Sequence, residues 1–202
     1  MATLPAKIVL ASSNVGKLRE LKRILDDLSI AVVPQSEYGV SDADETGTTF
    51  AENALIKARH AAAATGLPAI ADDSGLVVAA LDGRPGVYSA RFAGAGATDE
   101  QNIAKLLAEL HQVDEAHRGA AFHCTACFVT PDDAEQLLAT GEWRGSILRE
   151  QRGAGGFGYD PLFLDPESGK TGAELSADEK NARSHRGKAL RQLGELLRER
   201  WS

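Results

Sequence analysis

Short apolar runs and stretches with apolar residues at helical spacing follow each other along the chain, and this pattern is typical of an α/β protein. Residues 7–11 predict a short buried strand, and residues 31–33 predict a second strand that Pro34 ends. Between them, leucine and isoleucine recur at helical spacing, at Leu18, Leu21, Ile24, Leu25 and Leu28. Residues 12–17 are therefore predicted to lie between a strand and a helix.

Capping signals mark further helices. Thr49-Phe50-Ala51-Glu52 has the spacing of a capping box, which predicts a helix through Ala64 that stops at Gly66. Residues 98–110 predict a capped amphipathic helix, and residues 187–201 predict a C-terminal helix.

The central part of the chain predicts further strands. Residues 68–72 predict a strand that ends at the acidic pair Asp72-Asp73, a Ser-Gly turn follows, and residues 76–81 predict another short strand. Residues 120–129 and 136–147 predict two long antiparallel strands around a turn at 131–133. Because strands and helices mix without strict alternation, we expect an α/β fold with a mixed sheet and a cleft between two lobes.

Composition and charge narrow the classes of function. The chain has 202 residues, of which 43% are hydrophobic and 25% charged, which fits one domain, or two tight lobes, with a sizeable core. Its formal net charge of −7 argues against a polynucleotide partner, which needs a basic surface, but not against a single nucleotide. Without a signal-peptide pattern or a membrane-spanning apolar stretch, we expect a cytoplasmic protein with no membrane partner.

The two cysteines, Cys124 and Cys127, form a single Cys-x-x-Cys pair. A zinc site needs four ligands, and the chain has no second pair. The surrounding residues predict a strand, on which positions three apart point to opposite faces. We therefore expect two buried thiols that diverge.

The turn at residues 12–17, Ser-Ser-Asn-Val-Gly-Lys, is a candidate phosphate-binding site. Such a turn gathers free backbone N–H groups and the positive end of a helix dipole, while Gly16 permits close approach and Lys17 adds a cation. It is not a Walker A loop, because Ala11 replaces its first glycine and Leu18 its metal-binding hydroxyl residue. The alternative is a simple Ser/Asn helix cap beside a surface lysine.

A metal ion would then need ligands elsewhere, and Asp72, Asp73 and Glu45 are the candidates. Mg²⁺ prefers oxygen ligands and usually binds together with substrate phosphates. The alternative for the acidic pair is an Asx turn that closes a strand. Asn53 and Lys57, one helical turn apart, form either a surface salt-bridging stripe or a polar stripe that faces the metal and phosphates.

A glycine-rich loop at residues 153–161 is a candidate base-binding site. It matches Gly-x-Gly-x-x-Gly, but Pro161 predicts no following helix, so a dinucleotide-binding turn is excluded. A loop that presents Phe157 and Tyr159 beside Asp160 suits a planar base, and the alternative is a turn with buried aromatic rings.

The segment Ser184-His185-Arg186-Gly187 opens the C-terminal helix with two planar donors. An arginine can donate to a carbonyl oxygen on a base edge. The alternative is solvated charge ahead of a helix.

Together and in this order, these segments resemble the inosine-triphosphate pyrophosphatase family, which hydrolyses non-canonical purine nucleoside triphosphates. The resemblance covers nearly the whole chain and rests on residues 11–17, 45–50, 52–54, 71–75, 85–91, 155–161 and 184–187. One departure is Ser13, where many relatives resemble Thr-Gly-Asn rather than Ser-Ser-Asn.

The resemblance implies hydrolysis of ITP, dITP and XTP to the monophosphate and pyrophosphate, with Mg²⁺ as cofactor, by a homodimer. It implies one domain over residues 1–202, with an elongated, twisted sheet flanked by helices and the active site in a central cleft between two lobes. Asp73 would be the general base and, with Glu45, a metal ligand, Asp44 being the alternative to Glu45. The implied substrate-binding residues are Ser12, Ser13, Asn14, Val15, Gly16, Lys17, Ser74, Phe157, Gly158, Tyr159, Asp160, Lys180, His185 and Arg186.

Base selectivity follows from one contact in this hypothesis. Arg186 or a backbone N–H donates to a 6-keto oxygen, whereas the 6-amino group of adenine would leave two donors facing each other at a cost of about 1–3 kcal/mol. This contact does not explain rejection of GTP, which keeps the 6-keto group.

Two other classes remain open. A pyrophosphatase for pyrimidine or modified canonical nucleotides would resemble a Ser-Pro-Arg-Arg start, which residues 14–17 lack. A non-catalytic nucleotide sensor would not need the acidic pair.

Overall fold

The chain is divided into two compact units in the computed structural model, which describes residues 5–12, 18, 21, 22 and 30–201. Unit 1 contains Met1–Asp73, Cys124–Gly141 and Arg186–Ser202. Unit 2 contains Ser74–His123 and Glu142–His185.

A six-stranded sheet runs through the described residues. In chain order its strands are β1 (Lys7–Leu10), β2 (Ala31–Pro34), β3 (Ala69–Val78), β4 (Gly119–Val129), β5 (Gln136–Ile147) and β6 (Phe163–Leu164). The spatial order is β2-β1-β3-β4-β5-β6; β1 pairs in parallel with β2 and β3, and β5 pairs antiparallel with β6. The short connection 130–135 joins β4 to its neighbour β5, which requires an antiparallel pair. The predicted mixed sheet is confirmed.

Four α-helices lie wholly within the described residues, and two of them begin at the capping boxes that the sequence predicts. They are α1 (Phe50–Thr65), α2 (Asp99–Glu109), α3 (Ala177–Arg183) and α4 (His185–Trp201). Thr49 and Thr98 each close a complete capping box, and Gly66 ends α1 at φ 68°. The helix α3, which Ser176 caps, and the short strand β6 were not predicted. None of the helices in the described ranges is both long and apolar enough to cross a bilayer.

Part of the first predicted helix lies outside the described residues. Of residues 18–28, positions 18, 21 and 22 are described, and they are helical. Ser12 lies two residues after the end of β1, whereas residues 13–17 of the candidate phosphate loop lie outside the described residues.

One predicted strand boundary is wrong, and it matters for function. The strand expected to end at Asp72 continues through Ser74-Gly75 to Val78, so two predicted strands are one, and Ala79–Leu81, predicted as strand, form a 3-10 helix. The backbone stays extended at Ser74-Gly75 because the sheet continues and because Leu76 and Val78 are buried in unit 2. Asp72 and Asp73 therefore lie within β3, where successive side chains point to opposite faces.

The sheet portion of unit 1 is covered on both faces, because successive residues of β1 and β3 are buried and successive side chains point to opposite faces. Ile8, Leu10 and Ile70 pack in one cluster with leucines of α4, and this cluster also contains Cys124. Another cluster contains Val9, Ala11, Ala69 and Ala71 together with four alanines of α1, and Cys127 belongs to this second cluster. The prediction that the two thiols diverge and are buried is confirmed. In unit 2 a separate core surrounds Phe122, Trp143 and Phe163.

Candidate active site

The two carboxylates of the acidic pair have different partners in unit 1. Asp72 Oδ2 accepts a hydrogen bond from Nε of Arg186 at 3.1 Å. Asp73 instead faces α1, where Lys57 and Asn53 donate to it. This divergence follows from the position of both residues within β3. Asp72 is therefore not placed to share a metal ion with Asp73.

Asp73 is held on both oxygens. Lys57 Nζ donates to Oδ1 at 2.9 Å, and Asn53 Nδ2 donates to Oδ2 at 3.3 Å. The same Lys57 nitrogen lies 2.7 Å from Oε1 of Glu45. The ammonium of Lys57 thus connects the carboxylates of Glu45 and Asp73, which lie far apart in sequence.

The loop that carries Glu45 is fixed by the start of α1. Oε2 of Glu52 accepts from the backbone N–H groups of Thr48 and Thr49 at 2.7 and 3.1 Å and from the Thr48 hydroxyl at 2.9 Å. These bonds, led by the one from the Thr48 backbone, lower the pKa of Glu52. The motifs 45–50 and 52–54 therefore act as one structural unit.

Asn53 links this loop to Asp73. Its Oδ1 accepts from Gly47 N at 2.8 Å, while its Nδ2 donates to Asp73. Only glycine fits at position 47, because a Cβ would lie 2.7 Å from that same Oδ1. The side chain of Asn53 is fully buried, so its amide has a fixed orientation between loop and strand.

Of the two interpretations of the Asn53–Lys57 stripe, a surface salt-bridging stripe is wrong. The Lys57 side chain is only 12% exposed. Burial alone would lower its pKa, but the Asp73 charge and the hydrogen bonds to Glu45 and Asp73 outweigh burial and raise the pKa of Lys57. Lys57 was not among the predicted site residues, although its helical spacing from Asn53 was the signal that could have identified it.

The donor set in unit 1 fits a hard cation. Two carboxylates, those of Glu45 and Asp73, already share one positive group, the ammonium of Lys57. Within the described ranges, no group of three or more His, Cys, Asp or Glu residues could hold a metal. Two protein carboxylates suit Mg²⁺, which takes its other ligands from water and substrate phosphates. Asp44, the alternative to Glu45, is exposed.

The pair Asp72–Arg186 is a buried ion pair, with side chains 4% and 5% exposed. The interpretation of His185 and Arg186 as solvated charge is therefore wrong. The pair fastens the first turn of α4 to β3, and Cys124 Sγ lies 4.0 Å from the same Asp72 oxygen. Arg186 as a reader of the base edge stays a prediction.

In unit 2 the glycine-rich loop folds around the buried carboxylate of Asp160. Its Oδ2 accepts from Phe157 N at 2.9 Å and from Lys180 Nζ. A Cβ at position 156 would lie 2.2 Å from that oxygen, and φ there is +74°. The glycines therefore allow the backbone to close on Asp160, which positions both Phe157 and Lys180.

The two aromatic rings of this loop differ. Phe157 is 50% exposed, and Lys180 Nζ lies 4.7 Å from its ring centroid. Tyr159 is 4% exposed and donates its hydroxyl to Ser89 O at 2.8 Å, and burial raises the pKa of its phenol. The expectation of an outward ring is confirmed for Phe157 and wrong for Tyr159, which anchors the loop from inside.

The other predicted residues have these positions. The His185 ring stacks on Phe122 with centroids 4.8 Å apart and an interplanar angle of 13°. Gly158 N donates to Asp99 Oδ2 at 2.6 Å. Ser74 and Ser12 are half-buried. Ser12 belongs to unit 1 and lies two residues after the carboxyl end of β1. At that end the parallel register pairs Leu10 with Ile70, which precedes Asp72 by two residues.

We expect Gly156→Ala to lower the free energy of unfolding by about 1–3 kcal/mol, because the new methyl group meets Asp160 at a strained φ. Urea denaturation measures this loss. Gly169→Ala is the matched control, since φ is +68° there but nothing lies within 4 Å of its Cβ position. Equal losses in the two variants would contradict close packing of the loop on Asp160.

The chain is similar to known proteins over nearly its whole length. The model of the Ham1 family matches residues 8–196. A dITP/XTP pyrophosphatase of Pectobacterium atrosepticum is 54% identical over 193 residues, covering 95% of this chain and 98% of that protein. The same description belongs to a protein of Escherichia coli O157:H7, which is 54% identical over the same shares of both chains.

Solved structures agree with these sequence matches. A HAM1 protein from Coxiella burnetii has a TM-score of 0.90 at 53% identity and covers 96% of this chain and 98% of its own. The Ham1 protein of Staphylococcus aureus has a TM-score of 0.87 at 43% identity, covering 96% and 99%. The family resemblance seen in the ordered motifs is confirmed: this chain belongs to the Ham1 family.

Proposed function

We propose that this chain hydrolyses the non-canonical purine nucleotides dITP, ITP and XTP to the nucleoside monophosphate and pyrophosphate. Relatives that are 54% identical over nearly the whole chain bear the name dITP/XTP pyrophosphatase. The observation that carries the proposal is the gathering of Asp73 and Glu45 around one cationic group in the unit that also contains Ser12.

Asp73 is the proposed general base. A carboxylate must be held in one orientation to accept a proton from water, and Lys57 and Asn53 hold Asp73 by separate oxygens. Burial excludes bulk water from this carboxylate, which is 7% exposed. Because Asn53 also binds Gly47, the base and Glu45 keep a fixed relation.

Mg²⁺ is the proposed cofactor, with Glu45 and Asp73 as its protein ligands. Bound there, it would neutralise phosphate charge and make an attacking water more acidic. Residues 12–17 are proposed to hold the triphosphate through backbone N–H groups and Lys17. Among the residues of unit 2, the exposed face of Phe157 beside Lys180 is proposed to stack on the base.

A homodimer and a cytoplasmic location are also proposed, on the basis of the family resemblance. Neither is needed for the chemistry assigned to unit 1.

We expect Lys17→Ala to raise KM for ITP and XTP alike, because its ammonium offsets phosphate charge whichever base is present. The increase should shrink as NaCl rises, since salt screens the attraction between a cation and phosphate charges. Steady-state kinetics at two salt concentrations measure both effects. A loss limited to one of the two nucleotides would remove Lys17 from the phosphate site.

A nucleotide panel tests the proposed function. The purified protein is given ITP, dITP, XTP, GTP, ATP and dTTP with and without Mg²⁺, and pyrophosphate release is followed. We expect high kcat/KM for the first three nucleotides, and only with Mg²⁺. Preference for dTTP would favour a pyrimidine pyrophosphatase, and binding without turnover would favour a nucleotide sensor.

A further inference from the structure

Lys57 places its ammonium between the two carboxylates that we propose as metal ligands. Nζ lies 2.7 Å from Glu45 Oε1 and 2.9 Å from Asp73 Oδ1. The lysine side chain is only 12% exposed, and those of Glu45 and Asp73 are 29% and 10% exposed. The three groups therefore form a cluster in which one ammonium bridges two carboxylates.

The ammonium and a divalent cation cannot both use these two oxygens. Mg²⁺ binds oxygen at about 2.0–2.1 Å, and a lysine nitrogen in hydrogen-bond contact with the same oxygens would lie against the metal. Like charges at that separation repel strongly in a partly buried site. A metal can enter between Glu45 and Asp73 only when Lys57 moves to another acceptor.

We propose that Lys57 is an internal counter-ion that holds the two ligand carboxylates together and weakens binding of free divalent cations until a triphosphate arrives. The inference rests on the proposed function, because Glu45 and Asp73 are metal ligands only there. A triphosphate brings several negative oxygens, and these give the displaced ammonium a new partner. Lys57 is thus a positioning residue that makes metal binding depend on substrate.

A second consequence concerns stability without metal. Glu45 and Asp73 both face the position of Nζ, and Asn53 compensates only one of them with a neutral amide. Removing the lysine charge leaves two carboxylates that repel each other. A divalent cation should then stabilise the variant more than it stabilises the unmodified protein, since a ligand that binds the folded state raises its stability.

The test is Mn²⁺ binding to the nucleotide-free protein, with free Mn²⁺ measured by electron paramagnetic resonance. We expect Lys57→Met to bind Mn²⁺ at least about tenfold more tightly than the unmodified protein. Its thermal midpoint should also rise more on addition of Mn²⁺. Lys57→Gln, which keeps a hydrogen-bond donor without the charge, should change in the same direction and serves if Lys57→Met folds poorly.

Two further variants locate the effect. Lys170→Met is the matched control, because Lys170 pairs with Glu179 at 2.9 Å outside this cluster, and it should bind Mn²⁺ like the unmodified protein. Adding Glu45→Gln to Lys57→Met should abolish the gain. Unchanged or weaker Mn²⁺ binding by both Lys57 variants overturns the inference. Failure of the proposed function would appear separately, as absence of pyrophosphate release from the nucleotide panel.

Discussion

Asp73→Asn is expected to lower kcat for ITP hydrolysis by at least about a hundredfold, the usual contribution of a general base, while the protein stays folded. The amide cannot take a proton from water, and its nitrogen cannot accept the hydrogen bond that Lys57 donates. The fold survives because Asn has the same shape and Lys57 keeps its contact with Glu45. Stopped assays at saturating Mg²⁺ measure kcat, and circular dichroism reports folding.

Asp133→Asn is the matched control for this change. Asp133 also accepts from a basic residue of α1, Arg59, at 3.0 Å, but it lies in the exposed turn between β4 and β5. Its kcat should equal that of the unmodified protein. A nearly normal rate for Asp73→Asn would mean that another group activates the water.

Arg186→Ala is expected to lower the free energy of unfolding by about 3–5 kcal/mol, the typical cost of breaking a buried ion pair from one side. Asp72 would lose its ion-pair partner in a site where its side chain is 4% exposed. The pair also joins the first turn of α4 to β3, so the loss acts on the core of unit 1. Urea denaturation followed by fluorescence measures it.

Pairing this variant with Asp72→Asn separates stability from base selectivity. Removing both charges should recover most of the lost stability, because no buried carboxylate is left without its partner. If Arg186 also reads the 6-keto edge, the double variant stays impaired with ITP and XTP relative to ATP, by about 1–3 kcal/mol. An equal loss of kcat/KM for ITP, XTP and ATP in the double variant would exclude base reading by Arg186. A small stability loss in Arg186→Ala would contradict the structural role of the pair.

The sequence predicted most of the regular structure, because its signals there are local. The capping boxes at Thr49 and Thr98 are set by residues three positions apart, and the long strands β4 and β5 lie on either side of the predicted turn at 131–133. The one misplaced strand end shows where local signals fail. Ser74-Gly75 resembles a turn, but it lies within a strand of ten residues whose later positions Leu76 and Val78 are buried in unit 2.

The sequence was enough to predict which residues belong to the candidate site, but not which side chains contact each other there. The motifs identified Asp73 and Glu45, and a helical stripe pointed to Asn53 and Lys57. Arg186 lies 114 residues from Asp72, and no local pattern predicts that this arginine pairs with a buried aspartate. The glycine-rich loop is similar, since its glycines are required by Asp160, whose burial depends on the core of unit 2.

The central claim is that this chain breaks the bond between the α- and β-phosphates of a non-canonical purine triphosphate, using Asp73 as the base. The most direct measurement is hydrolysis of ITP in ¹⁸O-labelled water with mass analysis of the products. We predict inosine monophosphate that carries one ¹⁸O atom, unlabelled pyrophosphate, and no product from Asp73→Asn within the same time. Inosine diphosphate with free phosphate, or label in pyrophosphate, would contradict the account.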